Sequence, residues 1–226
     1  MFRFIFNFFL ACYPILSAYK GFFSLDLGSI LVFIFGLLCL ISEPLKLPRY
    51  FYGYWPFFII ALACCILSSG TIPLWLVLYT VNFIFATSYG NLNQLLKIYS
   101  LLVYASVFYF IFQEITYFVA GVRMSGFIPG IPLIYGDDGG VAYTIHLLQS
   151  ERSSSFFLEP SYLAQFIYPY IAFLLFSNNS NDIKKAVVMS TLLFWVKSGI
   201  GIFLLLILWS AWLLNSRMTA KRKVAI

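Results

Sequence analysis

Near-continuous apolar runs recur along this chain, each close to the ~20 residues that cross a ~30 Å hydrocarbon layer. They fall at residues 4–19, 25–41, 52–68, 72–89, 98–121, 161–176, 183–196 and 199–214. Backbone groups in lipid must be satisfied within the segment, and these runs lack the alternation of barrel strands. The expectation is an all-α, polytopic membrane protein with about eight helices. Composition agrees, because 62% of the residues are hydrophobic, 10% are charged and the mean hydropathy is +0.92. That leaves too little polar surface for a soluble domain, so residues 1–226 read as one transmembrane domain.

Basic residues orient the spans, since cytoplasmic loops retain Lys and Arg. With the N-terminus inside and eight spans, one side holds Arg3, Lys46, Arg49, Lys97, Lys184, Lys185, Arg217, Lys221, Arg222 and Lys223. The other holds only Lys20, Arg123, Arg152 and Lys197. Both termini are then cytoplasmic. The stretch 183–214 admits one long helix or two short ones joined at Lys197-Ser198-Gly199. A single helix would bury Lys197 mid-membrane at ~2.5–3.5 kcal/mol and export the basic tail, so two helices are expected. The apolar N-terminal run after Arg3 resembles a signal peptide, but no clear small-x-small cleavage site precedes Lys20, and an uncleaved first span is the better reading.

Several chemistries find no foothold. Cys12, Cys39, Cys64 and Cys65 all fall inside spans, without disulfide or metal-ligand spacing. His146 is the single histidine, which argues against a His-based metal site or triad. No Walker, Rossmann or zincin motif is present, and no metal or cofactor is required.

One connection is long, from about Val122 to Pro160, and it collects Arg123, Asp137, Asp138, His146, Glu151, Arg152 and Glu159. Long loops in compact proteins are usually functional or disordered. Within it, "VAYTIHLLQS" has the apolar spacing of a short surface helix, and its end, "RSSSFFLEPSYLAQF", runs into an apolar helix. Pro160 suits the first turn of that helix and Glu159 its positive end, so a plain capped helix start explains both. Arg152 has an equally plain reading as a solvated or headgroup-contacting loop residue. Glu114, late in the fifth run, either marks a polar cavity or snorkels outward.

The order of Arg152, a spacer, Phe157-x-x-Pro160-x-x-x-Ala164 with Glu159-Pro160-Ser161 inside it, and a later Lys197-Ser198-Gly199 turn resembles the O-antigen and capsule polymerase family, within the O-antigen ligase-like superfamily. The resemblance covers about 152–214. Lys197 precedes Ser198 where the family usually has a serine followed by a basic or small residue and glycine. Family members usually continue through further spans and another arginine-bearing loop, so an ending at Ile226 implies a truncated or split polymerase.

The resemblance implies a metal-independent glycosyltransferase, without cofactor, at the outer face of the bacterial inner membrane. It would join oligosaccharide units carried on undecaprenyl diphosphate into O-antigen, capsule or exopolysaccharide. Arg152, and after it Arg123, would hold the departing diphosphate through permanently charged, bidentate contacts. Glu159 would activate or position the acceptor hydroxyl, with His146 a weaker alternative, and Ser161 would bind substrate. Tyr162 suits either a sugar face or the membrane interface, the latter favoured in so aromatic a chain. The partners implied are the lipid-linked oligosaccharides, membrane lipids, a flippase and a chain-length regulator, and no nucleic acid. The alternatives are ligase-type transfer, a non-catalytic transporter or scaffold, and an inactive fragment. Transport would place ionisable or Gly/Pro-broken positions near mid-span, whereas the polar residues here cluster outside the runs.

Overall fold

A computed structural model describes residues 2–22, 25–47, 49–69, 73–122, 124–128, 130–134, 153–177 and 179–215. Among them the architecture is all-α, with eight α-helices and no strand beyond two isolated bridges. The helices are α1 Phe2–Leu16, α2 Leu27–Ser42, α3 Trp55–Ser69, α4 Leu74–Tyr89, α5 Leu92–Ala120, α6 Pro160–Phe176, α7 Ser180–Trp195 and α8 Gly199–Asn215. A 3-10 turn, Arg49–Tyr54, leads into α3. The expected short helix at "VAYTIHLLQS", together with His146, Asp137, Asp138 and Glu151, lies outside the described residues.

Helix ends follow local chemistry. Asp26 caps α2, its Oδ1 accepting from Ser29 N at 2.7 Å. Pro73 precedes α4, and Pro160 opens α6 where its missing N–H costs nothing. The fifth apolar run starts earlier than expected, at Leu92 rather than residue 98. Asn91 Oδ1 accepts from Gln94 N at 3.2 Å, so a polar stretch that reads as loop forms the first turn of a helix. The expected break near Lys197 is present, with α7 and α8 separated by 196–198 and Lys197 in the left-handed region at φ 55°.

The described residues group into two compact units, a division the one-domain reading does not anticipate. The first gathers those of Met1–Leu102 and Pro129–Tyr143, the second those of Val103–Ile128 and Thr144–Ile226, with α5 running through both. In the first unit, α1 and α4 pack on α2 around Phe6, Val32, Cys39, Phe85 and Tyr89. A Cβ at Gly36 would run into the Phe85 ring, so α2 and α4 cross at that glycine. The loop after α5 adds a short clasp, Lys20 N donating to Pro132 O at 2.8 Å and Ile134 N to Ala18 O at 2.9 Å.

In the second unit α6 packs on α7 and α8, burying Leu163, Ala164, Ile167 and Ile171 of α6 with Leu193 of α7 and Leu205 of α8. Trp209 Nε1 donates to Ser190 Oγ at 3.0 Å and ties α8 to α7. Short turns make α7 antiparallel to both neighbours, so α6 and α8 begin at the same end. Gly201, two residues into α8, lies against Ala164, four residues into α6, where an added Cβ would sit 2.7 Å from the Ala164 Cβ.

Among the described residues only α5, 29 residues long, is both long and apolar enough by itself to cross a membrane. The other helices have 15–17 residues.

Candidate functional site

The chain leaving α5 turns back along it. Gln113, buried seven residues before the end of α5, is the post on which this return is hung. Its Nε2 donates to Met124 O at 2.7 Å and to Ser155 O at 3.4 Å, and its Oε1 accepts from Ser155 N at 2.8 Å. One turn earlier, Tyr109 OH donates to Ser125 O at 2.6 Å while its ring stacks on Phe156 at 4.7 Å. Ser155 Oγ reaches further down and donates to Ser106 O at 2.7 Å. Two stretches of the long loop, around Ser125 and around Ser155, are therefore docked on α5 about 10 Å below its C-terminal end, at 1.5 Å of rise per residue.

The two stretches also touch each other. A side chain on Gly126 would collide with the Ser155 carbonyl, so glycine is what lets the backbones meet. Ser155 takes the left-handed conformation at φ 56°, unfavourable for a residue with a Cβ, and three hydrogen bonds hold it there. Ser153, Ser154 and Ser155 are all buried. The hydroxyls of Ser153 and Ser106 are buried with no hydrogen-bond partner among the described residues. A buried polar group normally finds a partner, so this polar pocket in a helical unit is unusual.

Glu159 and Ser161 stand at the exit of this segment. Glu159 occupies the N-cap position of α6 in an extended conformation (φ −141°, ψ 154°), but its side chain makes no capping bond. Its Oε2 instead accepts from Ser161 Oγ at 3.0 Å, and the Glu159 side chain is exposed. A carboxylate ordinarily placed to satisfy helix N–H groups instead takes, among the described residues, a hydroxyl as its partner.

Tyr170 OH donates to Tyr104 OH at 3.1 Å and ties α6 to α5. Glu114 is half-buried and six residues short of Ala120. The third component is the turn between α7 and α8. Phe110 and Trp195 meet edge-on at 6.5 Å, and Gly201 packs on Ala164, which brings the turn to the same end as the start of α6. There Lys197 is exposed, and buried Ser198 caps α8, its Oγ accepting from Gly201 N at 3.2 Å.

Of the residues singled out from the sequence, Glu159 and Ser161 lie side by side. Arg152 and Arg123 lie outside the described residues, as does His146. Tyr162 is exposed on the first turn of α6. Gln113, Ser106 and the buried serines were not singled out. Their one sequence signal is an amide and a hydroxyl inside an apolar run, followed much later by three consecutive serines. Among the described residues no three His, Cys, Asp or Glu side chains come together as a metal site would need. Comparison with protein-family models, with curated proteins and with solved structures finds no match to this chain.

Proposed function

We propose that this chain is a polytopic protein of the bacterial inner membrane that polymerises oligosaccharide units carried on undecaprenyl diphosphate, at the outward-facing end of its second unit. The observation that carries the reading is the polar segment Ser153–Ser161, docked about 10 Å below the end of α5 and ending in the outward-turned Glu159–Ser161 pair. Irregular polar backbone at membrane depth is tolerated only where it is buried in protein or lines a cavity. A site sunk below the end of an apolar helix suits a substrate whose reactive diphosphate sits at the top of a lipid.

What supports the membrane setting is the outward-facing apolar surface. Phe118 is 91% exposed, Leu214 88% and Leu67 87%, on three different helices. Surfaces of that kind on a monomer mark contact with lipid or another protein. The distribution of Lys and Arg supports a topology with both termini in the cytoplasm.

In the reaction, an acceptor hydroxyl of the incoming unit attacks the anomeric carbon of the growing chain. The bond from that carbon to the undecaprenyl diphosphate breaks, and the diphosphate leaves with the electron pair. Glu159 takes the hydroxyl proton, and Ser161 holds the carboxylate in place through its 3.0 Å hydrogen bond. The growing negative charge on the diphosphate is met by Arg152 and Arg123, the cations nearest in sequence to the docked stretches.

Complementation of a polymerase-deficient strain that makes the matching repeat unit tests this, read as a polysaccharide ladder on a gel. Wild type restores the ladder; Glu159→Gln and Arg152→Ala, at equal membrane abundance, reduce it by at least about a hundredfold, as expected for loss of an acid–base or charge-stabilising group. A full ladder from Glu159→Gln would remove that residue from the chemistry. Attachment of single units to lipid A core, without a ladder, would point instead to ligase-type transfer.

A further inference from the structure

The first unit holds a polar cluster that the glycosyl-transfer reading does not use. Asp26 is 4% exposed, and its carboxylate accepts from Ser29 N at 2.7 Å, Ser29 Oγ at 2.7 Å and Tyr79 OH at 3.1 Å. Ser29 Oγ also lies 3.4 Å from Tyr13 OH. From α4, Asn82 Nδ2 donates to Ser29 O at 2.9 Å, one turn of helix below Tyr79. Three helices thus bring five oxygen-bearing side chains, Tyr13, Asp26, Ser29, Tyr79 and Asn82, around the start of α2.

Two features exceed what a helix cap needs. A buried carboxylate is costly unless a positive charge answers it. Among the described residues no ion pair to Asp26 is present; Lys20 bridges to Asp26 through its backbone only, and its side chain is exposed. The second feature is independent. Asn82 is 8% exposed, and its Oδ1 is buried with no donor, while the bond from Nδ2 to Ser29 O fixes which way the amide faces. Asn82 thus keeps a buried acceptor without a donor while holding Ser29, the residue that bonds the Asp26 carboxylate, and that carboxylate has no cation beside it among the described residues.

We infer that the Asp26 cluster binds a small monovalent cation, sodium in size and charge, with Asp26 as its charged ligand and Asn82 Oδ1 and the Tyr13, Ser29 and Tyr79 oxygens as neutral ones. Hard cations take oxygen ligands, and one carboxylate among neutral oxygens matches one positive charge; divalent ions usually draw on more carboxylates. Sodium would also tie α1, α2 and α4 together, stabilising the folded unit by mass action.

The full chain in detergent is the material for the test. Retention of radioactive sodium is measured, with thermal unfolding in sodium chloride and in choline chloride at matched ionic strength. Wild type is expected to retain sodium saturably and to melt at a higher temperature in sodium than in choline. Asp26→Asn keeps a good N-cap residue, so the helix start survives, yet retention falls by at least about tenfold and the sodium-dependent melting shift disappears. Tyr79→Phe and Asn82→Ala, which leave the cap untouched, weaken retention as well and serve if Asp26→Asn does not fold. No saturable retention by wild type, or equal retention by folded Asp26→Asn, overturns the inference. So does a melting point that rises on acidification but ignores sodium, because a proton or a buried water would then be the occupant.

Discussion

Gln113 is where a single side chain decides the most. Replacing it with leucine keeps the bulk but strips Met124 O, Ser155 N and Ser155 O of their partners inside a buried pocket. Unsatisfied buried groups of this kind cost about 2–4 kcal/mol in total, so Gln113→Leu is expected to lower the unfolding free energy in detergent by that much. Ser155 separates two effects. Ser155→Gly relieves the left-handed backbone but loses the bond to Ser106 O, whereas Ser155→Ala loses the bond and keeps the strain. The glycine variant should therefore be the more stable, and equal stability would mean that the φ of 56° carries no strain. None of this was visible in the run of residues itself. The helix start at Pro160 was legible because proline suits the first turn of a helix. Gln113 was not, because its role depends on a segment 42 residues away.

Among the elements, two helix crossings rest on glycine. At Gly36 the Phe85 ring fills the space a side chain would take, and Gly36→Val should push α4 off α2 and destabilise the first unit without moving the second. Gly201→Val does the converse, parting α8 from α6 and, with it, the Lys197–Ser198 turn from Glu159. Separate unfolding of the two units, followed by limited proteolysis, distinguishes these outcomes. The start of α7 has a milder device. The Ser177 hydroxyl, and after it Lys185, hold the Asp182 carboxyl below its ordinary value of 3.8. A depressed value means stability that is full above about pH 4 and drains away as the pH falls through the folded-state value. Asp182→Asn should flatten that acid limb by lowering the melting temperature at neutral pH toward its acid value, with the acid end itself unchanged. Helix number and the break at Lys197 were readable from hydropathy and from the cost of burying a lysine. The start of α5 was missed because Asn91 and Gln94 are polar enough to pass for a loop.

At the scale of the whole molecule, periodicity and charge asymmetry predict helices and an orientation but not the grouping into two units, since which runs pack together is set by shape at places such as Gly36 and Gly201. The all-α class was legible for a simple reason: few other folds can absorb so many apolar runs. The return of the long loop along α5 was hidden because most of what the loop offers there, Met124 O, Ser125 O and the Ser155 N and O, is backbone, which every sequence has. One consequence concerns the bilayer. Helices of 15–17 residues are about 23–25 Å long, while α5 at 29 residues reaches about 43 Å. Were the chain polytopic as proposed, a membrane of ~30 Å hydrocarbon thickness would have its leaflets drawn together by the short helices, and α5 would tilt or protrude. Reconstitution into lipids of graded acyl length should then give a maximum in ladder synthesis at short chains, with thicker bilayers drowning the Glu159 end of the second unit. Lipid thickness would act on this protein as an inhibitor does, by covering its site.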